Sequence, residues 1–436
     1  RRSGWCEQRS SDTWHPGDAA LEGIWATMLS KRWASLILVL LSGSYLFVLF
    51  HRLSLAVLSR PISNEVLMTQ ADLGLIGAAY FYPYALMQVP AGLIADKYGT
   101  RLTLGCALAI MALGCFMFGS VRAVPYLVLG RGLIGFSCAL VTVPVMKAVR
   151  ETFFDAKLGI MTGIVNAAGN VGGVAASVPL SIAVSVMSWR SLYCSLGIAA
   201  IVMGLAMILV LPRPPKQNTK RPGDPVWTWR TIAPILRHPR IWLLAVWMLM
   251  FTGTKLAFQG LWAGAFLSST YGPGAGSWLL LALSLGTVAG SPLVGILSDK
   301  APNRRLVLLG ATLMVTVMWG VLWAYPYRMT WIAAVSFYLI FGVAFASYNL
   351  CIMESRDICP LWLTGTVNGI ISSVGFMGSA ILTQLLGLLY STSRASASSA
   401  AGFRGMFLLN AVLLGVMAVA LTWYEVRTIA GRGPEQ

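Results

Sequence analysis

The chain has 436 residues, of which 57% are hydrophobic and only 11% are charged, and its formal net charge is +17. With a mean hydropathy of +0.73, this composition excludes a soluble globular protein, because too few polar side chains are present to cover a surface that faces water. The charge alone would suit a nucleic-acid partner, but the positions of the basic residues explain it without one.

The N-terminal region precedes the first apolar run. Residues 1–27 are polar and contain no Met, whereas Met28 is followed by Lys31, Arg32 and then apolar sequence. We therefore expect native translation to start at Met28, and residues 1–34 to form a cytoplasmic tail. No small-residue cleavage site follows the first run, so it is predicted to be an uncleaved anchor and not a removable signal.

Apolar runs long enough to cross a membrane recur along the rest of the chain. About 20 residues of helix cross the ~30 Å hydrocarbon core, and a backbone in lipid must satisfy its own hydrogen bonds, so each run is predicted to be a helix. The expected fold is all-α, an integral membrane protein with twelve transmembrane helices in two pseudo-symmetric six-helix bundles. The predicted spans are 35–58, 71–94, 102–120, 123–148, 157–183, 190–211, 241–269, 276–298, 305–325, 330–353, 362–390 and 402–424.

The basic residues give the predicted orientation. If the N-terminus is cytoplasmic, that side collects 23 of the 32 Lys and Arg residues, which is the positive-inside pattern. Both ends are then cytoplasmic, and short external loops without a glycosylation sequon favour a bacterial inner membrane. The Pro-rich basic segment 212–240 is predicted to be a cytoplasmic linker between the bundles 35–211 and 241–424, and 425–436 to be a tail.

Two internal repeats support this division. The phrase Gly-Leu-Ile-Ala-Asp96-Lys-Tyr-Gly-Thr-Arg101 recurs as Gly-Ile-Leu-Ser-Asp299-Lys-Ala-Pro-Asn-Arg304, with Gly, Asp, Lys and Arg at equal spacing. A second repeat matches Arg150-Glu151 and the glycines that follow with Arg356-Asp357 and its glycines, including Gly172 with Gly378. A repeat near half the chain length in an apolar protein is typical of secondary transporters.

The chain resembles the major facilitator superfamily over residues 30–428. The resemblance lies in the phrase at 92–101, its second copy, and the segment Arg131-Gly-Leu-Ile-Gly135. It implies two bundles that rock around a central cavity. It also implies that Asp96 with Arg101 closes the cytoplasmic side against the start of the eleventh span near Trp362. The gating or conformational residues are therefore expected to be Asp96, Lys97, Arg101, Arg131, Asp299, Lys300 and Arg304; the alternative is that the charged phrases only anchor tight turns.

Polar residues deep in the apolar spans are the candidates for substrate binding, because such groups are unfavourable in a membrane unless they have a partner or a function. Asn166 and Asn170 are four residues apart, as are Lys255 and Gln259, so each pair is expected to share a helix face. The predicted substrate-binding residues are Arg52, Lys255, Gln259, Asn166, Asn170, Asn349 and Tyr84.

The charged members of this set are all basic, and no acid is placed to neutralise Arg52 or Lys255 at mid-membrane. This pattern favours an anionic ligand, which Arg can bind through two hydrogen bonds. Arg52 also resembles the arginine of the first helix in the anion:cation symporter and organophosphate antiporter branches. Three alternatives stay open: that Arg52 snorkels to the membrane interface, that Arg131 serves helix packing, and that the amides only bond across helices.

The function predicted from sequence is a secondary active transporter that moves a small organic anion by alternating access, as a monomer in the lipid bilayer. His51 and Glu354 are the candidates for coupling to a proton, and a counter-solute is the alternative. No motif of an enzyme, nucleotide site or metal site is found, and the scattered Cys residues favour neither disulfides nor zinc, so no cofactor is expected. The rival interpretations are a proton-driven exporter of amphipathic drugs and a transport-dead sensor on the same fold.

Overall fold

The computed structural model of the protein describes residues 31–153, 158–212, 238–301, 303–325, 329–356, 364–394 and 399–430. These residues form helices joined by short connections, and no strand occurs among them. Eleven of the described helical segments are long and apolar enough to cross a membrane. The predictions for residues 1–27, for most of the linker and for Trp362 lie outside the described residues.

The described residues of the N-terminal part of the chain form eight helices. They are α1 (Lys31–Glu65), α2 (Gln70–Met87), α3 (Pro90–Tyr98), α4 (Thr100–Ser120), α5 (Val124–Thr152), α6 (Leu158–Ala175), α7 (Val178–Val186) and α8 (Trp189–Val210).

The C-terminal part contains the others. They are α9 (Pro239–Ala257), a π-helical turn (Phe258–Trp262), α10 (Ala263–Tyr271), α11 (Pro273–Lys300), α12 (Arg304–Ala324), α13 (Trp331–Phe345), α14 (Tyr348–Arg356), α15 (Thr364–Arg394) and α16 (Ser399–Ala430). Helix α16 thus continues six residues into the predicted C-terminal tail.

Several predicted spans are interrupted helices. The second is divided into α2 and α3, the fifth into α6 and α7, and the tenth into α13 and α14. Proline accounts for the first two divisions, since Pro90 begins α3 and Pro179 lies in the first turn of α7, where its missing N–H is tolerated. The seventh span stays continuous but passes through the π-helical turn after α9.

The second sequence repeat corresponds to a repeated packing contact. A Cβ added at Gly172 on α6 would overlap the carbonyl of Leu46 on α1, and a Cβ added at Gly378 on α15 would overlap the carbonyl of Leu249 on α9. Only glycine allows two backbones to approach so closely. Gly172 and Gly378 are equivalent positions of the repeat, so the same helix–helix contact occurs in both parts of the chain.

Helices α2 and α15 form the most extensive contact between the two parts, but the two helices diverge at one end. A Cβ added at Gly387 would lie 3.1 Å from the Cα of Gly74, and one added at Gly369 would lie 3.5 Å from Cγ2 of Val89. One added at Gly365, a turn nearer the start of α15, would meet nothing within 4 Å. The two parts are therefore packed together near Gly74 and separate beyond Val89.

Candidate functional site

Arg52 of α1 lies at the contact between the two parts of the chain. Its Nη2 donates a hydrogen bond of 2.6 Å to the hydroxyl of Tyr84 on α2. The guanidinium carbon lies 4.9 Å from the ring centroid of Tyr84 and 5.0 Å from that of Phe376 on α15. The Tyr84 hydroxyl is also 3.0 Å from Oγ1 of Thr142 on α5. Arg52 thus points among aromatic side chains and does not extend along the helix to an interface.

Lys255, in the last turn of α9, lies near Arg52. Its side chain is only 5% exposed, and its Nζ lies 3.9 Å from the ring centroid of Tyr348 on α14. No described contact joins Arg52 to Lys255, but Lys255, Tyr45 and Tyr348 all lie within electrostatic range of the Arg52 guanidinium. We call Arg52, Lys255, Tyr84, Tyr348 and Phe376 the cationic cluster.

Neither cation of the cluster has an acidic partner. Within the described ranges, no carboxylate forms an ion pair with Arg52 or Lys255, and Lys255 makes no hydrogen bond. The Nε of Arg52 is buried and has no hydrogen-bond partner among the described residues. Each cation–π contact contributes only about 0.5–2 kcal/mol, which is small beside the unfavourable burial of an unpaired charge. The cluster therefore has unused donors and an excess of positive charge, which an anion would neutralise.

The predicted amides do not belong to the cationic cluster. Asn166 on α6 is exposed and its Nδ2 donates to Thr162 of the same helix at 2.9 Å, and Asn170 is half-buried one turn later. Asn349 on α14 faces α11, where its Nδ2 is 3.5 Å from Oγ of Ser291. These three residues make no described contact with Arg52 or Lys255.

Gln259 and Lys255 have different neighbours, although their spacing predicts a shared helix face. Gln259 lies in the π-helical turn, and its Nε2 contacts Oγ of Ser284 on α11 at 3.4 Å, whereas Lys255 faces Tyr348. The change from α to π geometry begins at Phe258, between the two residues. A spacing argument that assumes a regular α-helix is weakened at this point.

Arg131 and His51 form a separate buried group inside the N-terminal part. Nη2 of Arg131 on α5 donates to the carbonyl of His51 at 2.7 Å, and the guanidinium lies 5.0 Å from the ring centroid of Tyr80. His51 is fully buried, with Nε2 3.7 Å from Sγ of Cys115. Arg131 therefore joins α5 to α1, which agrees with the packing interpretation of this residue.

The first charged phrase is held within the N-terminal part. Asp96 at the end of α3 accepts a 2.5 Å bond from Nζ of Lys147 on α5, and Lys147 also lies 3.6 Å from Glu151. Among the described residues the ionic partner of Asp96 is thus Lys147 and not Arg101. Lys97 is exposed beside Tyr98.

In the second charged phrase, Asp299 lies 3.6 Å from Arg304, and Lys300 is exposed. Glu354 on α14 is 3.0 Å from Nε of Arg305 and 3.8 Å from Nη2 of Arg240. It therefore lies in an arginine-rich group at the ends of α9, α12 and α14, away from the cationic cluster.

Sequence reasoning missed Tyr348, Phe376, Tyr45 and Thr142. Aromatic residues in membrane helices are expected to anchor the interface by default, and nothing in their spacing marks a contact with a cation. Tyr348 stands beside the predicted Asn349, which is the one local signal that could have drawn attention to it.

Comparison with known proteins gives a consistent family. The sequence profile of the Major Facilitator Superfamily matches residues 33–383. A probable hexose phosphate transport protein of Chlamydia trachomatis is 21% identical over 90% of this chain and 91% of its own length. The probable sulfoacetate transporter SauU of Cupriavidus necator is 25% identical over 66% of this chain and 70% of its own. A solved bacterial homologue of the human lysosomal transporter Spinster, inward-facing and unoccupied, matches with a TM-score of 0.78 at 19% identity, covering 93% of this chain and all of that one.

Proposed function

Because the chain belongs to the major facilitator superfamily and is a membrane transporter, not an enzyme, we propose that it moves a small organic anion by alternating access. The observation that carries the proposal is the pair Arg52 and Lys255, each of which is packed against aromatic rings and has no carboxylate partner in the described residues. Hexose phosphate and sulfoacetate, the solutes that two relatives are named for, are both small organic anions.

The proposed binding mode uses the free donors of the cluster. An anionic group placed between Arg52 and Lys255 would accept hydrogen bonds from Nε of Arg52 and from Nζ of Lys255, and would reduce the repulsion between the two charges. Such charge-assisted bonds contribute about 1.5–3 kcal/mol each. Tyr84 would orient Arg52, and Gln259, Asn166, Asn170 and Asn349 are proposed to contact the uncharged part of a solute in another conformation.

The architecture proposed for the transporter has twelve membrane crossings in two six-helix bundles. The eleven candidate spans supply eleven crossings, and α2 with α3 supplies the twelfth. On the distribution of basic residues we place both ends in the cytoplasm of a bacterial cell. We propose the monomer as the working unit. In this orientation the divergence of α2 and α15 beyond Val89 opens the molecule toward the cytoplasm.

The charged phrases are proposed to act in the opposite conformation. In that conformation, contacts that hold the cytoplasmic side closed would be made by Asp96, Lys97 and Arg101 in the first copy and by Asp299, Lys300 and Arg304 in the second. Arg131 would transmit motion between α1 and α5. His51 and Glu354 stay the candidates for proton coupling, and exchange with a counter-solute is the alternative. An exporter of cationic drugs is not favoured, because the cationic cluster would repel them.

The test is ligand binding followed by flux. Purified protein is screened by thermal shift against small sulfonates, phosphate esters and carboxylates, and a stabilising ligand is then followed into proteoliposomes. We expect stabilisation and uptake by the wild type and neither by Lys255→Gln, while Arg122→Gln at an exposed external position behaves as wild type. Binding without flux would identify a sensor, and stabilisation by organic cations alone would overturn the proposal.

A further inference from the structure

An open cleft of about 500 Å³, including the solvent space at its mouth, lies in the C-terminal part, between the starts of α9 and α12 and the ends of α14 and α16. It is lined by Arg240, Arg304, Arg305, Glu354, Tyr424 and six leucines. It is distinct from the cationic cluster, with which it shares no residue.

Glu354 is the acidic partner of two arginines in this cleft. Glu354 accepts from Nε of Arg305 at 3.0 Å, and the Nη2 of Arg240 lies farther from the same oxygen, at 3.8 Å. Arg240 has no hydrogen bond within the described residues, although about three quarters of its side chain is covered, with 28% exposed. The guanidinium of Arg240 therefore keeps donors that can bind a further anionic group in the cleft.

Two helix termini add to the positive potential. Arg240 is the second residue of α9 and Arg304 is the first of α12, so the N-terminal, positive ends of both helix dipoles lie at the cleft, although the N–H of Arg305 is already capped by Oδ1 of Asn303. A phosphate group is well suited to a site made by arginine and helix N-termini. An anion bound to Arg240 would leave the hydrogen bond between Glu354 and Arg305 intact.

The rest of the wall is apolar. Leu244, Leu308 and Leu350 are buried at the base of the cleft, and Leu243 and Leu309 are half-buried beside them. A soluble phosphate ester would leave this surface without a partner, whereas an acyl chain would cover it. An amphiphile with a phosphate headgroup matches both halves of the lining.

We propose that this cleft binds an anionic phospholipid, with its phosphate at Arg240 and an acyl chain along the leucines. The site lies at the end of the molecule that the basic residues place on the cytoplasmic side, where anionic lipids interact with Lys and Arg. The inference uses the C-terminal part alone and does not depend on which solute the protein carries.

The test compares lipids in the full-length protein. Protein in phosphatidylcholine nanodiscs that contain a minor fraction of phosphatidylglycerol is released for native mass spectrometry, and retained lipids are counted. We expect at least fivefold enrichment of phosphatidylglycerol over its bulk fraction in the wild type and in Arg150→Gln, an exposed arginine that we place on the same side of the membrane. Arg240→Gln should lose most of the enrichment, and Arg240→Lys should restore part of it.

A second variant tests the apolar wall and distinguishes the source of the phosphate. Leu309→Ser leaves every charge in place and should also lower phosphatidylglycerol retention several-fold. Soluble glycerol phosphate should not displace the lipid at millimolar concentration. Equal retention by wild type and Arg240→Gln would overturn the proposal, as would full displacement by glycerol phosphate, which would instead identify a site for soluble anions.

Discussion

Tyr82 on α2 donates a hydrogen bond of 2.8 Å to Oε1 of Gln384 on α15, and so joins the N-terminal and C-terminal parts of the chain. Ser373 strengthens the same junction by donating to the carbonyl of Ala85 at 2.7 Å. Both bonds lie on the side of Val89 where the two helices are packed together. They stabilise the conformation in which this side is closed.

Loss of the Tyr82 hydroxyl should shift the conformational equilibrium. We expect Tyr82→Phe to weaken the closed side by about 0.5–1.5 kcal/mol, the usual net contribution of one hydrogen bond, and so to raise the population of the opposite conformation about two- to tenfold. Electron–electron distances between spin labels at the exposed residues Leu67, in the connection before α2, and Thr392, near the end of α15, would report the change. Tyr126→Phe, at an exposed position on α5, is the control and should leave the distance distribution unaltered.

Substitution of Arg52 should weaken anion binding in a graded way. Arg52→Gln removes the charge and is expected to lower affinity about 10- to 100-fold, equivalent to the ~1.5–3 kcal/mol of a charge-assisted hydrogen bond. Arg52→Lys keeps the charge but cannot bind through two nitrogens, so its affinity for the anion should lie between those of the wild type and Arg52→Gln. Equilibrium binding of the ligand found in the thermal-shift screen measures this order. Equal ligand affinities of Arg52→Gln and the wild type would show that Arg52 is not part of the binding site.

Replacement of Lys255 should separate stability from binding. Among the described residues, the buried ammonium of Lys255 has the Tyr348 ring as its favourable contact and no carboxylate. Lys255→Met should therefore stabilise the unliganded protein by about 1–4 kcal/mol, and the ligand should no longer stabilise this variant. Tyr348→Leu should destabilise the protein when Lys255 is present and have less effect in the Lys255→Met background. Thermal unfolding of the four proteins gives the coupling between the two residues; additive effects would contradict the contact.

Much of this organisation is readable from sequence, and the reasons are local. The apolar runs predict where helices lie, since length and hydropathy are fixed by the bilayer, and the glycine repeat predicts close packing at Gly172 and Gly378. The divisions of the second and fifth spans were signalled by Pro90 and Pro179 but were not predicted, because proline inside a membrane helix is often tolerated.

The candidate site was only partly predictable. Arg52 and Lys255 stand out because charge is rare in an apolar span, but the aromatic residues that hold them come from helices distant in sequence. The pairing of Asp96 with Lys147 likewise depends on how α3 packs against α5, which spacing alone does not determine.

The repeated glycine contact gives a prediction with internal controls. Gly172→Ala and Gly378→Ala should each destabilise the protein by about 1–3 kcal/mol, because the added methyl group overlaps a carbonyl of the neighbouring helix. Gly159→Ala and Gly365→Ala occupy positions with nothing within 4 Å and should change stability by about 0.5 kcal/mol or less. Thermal unfolding in detergent measures all four. Comparable effects in both pairs would show that the contacts are not tight.

The role of Asp96 can be separated from simple anchoring of a turn. Its side chain is 65% exposed, and an exposed ion pair such as that with Lys147 contributes about 0–1 kcal/mol. Asp96→Asn should therefore leave the unfolding temperature nearly constant but slow uptake into proteoliposomes, with Asp72→Asn at the start of α2 as the control. Unchanged uptake and unchanged spin-label distances would leave Asp96 with an anchoring role only.

The lack of a carboxylate beside Arg52 and Lys255 in the described residues also bears on energetics of turnover. Once the cargo has left, a binding site without an acidic residue keeps its positive charge uncompensated while the transporter returns to its starting conformation. Each unaccompanied crossing of a unit charge is then opposed or driven by the membrane potential, at about 2.3 kcal/mol per 100 mV. One-for-one exchange of anions is electroneutral and escapes this term, so the current recorded during transport would distinguish exchange from net import.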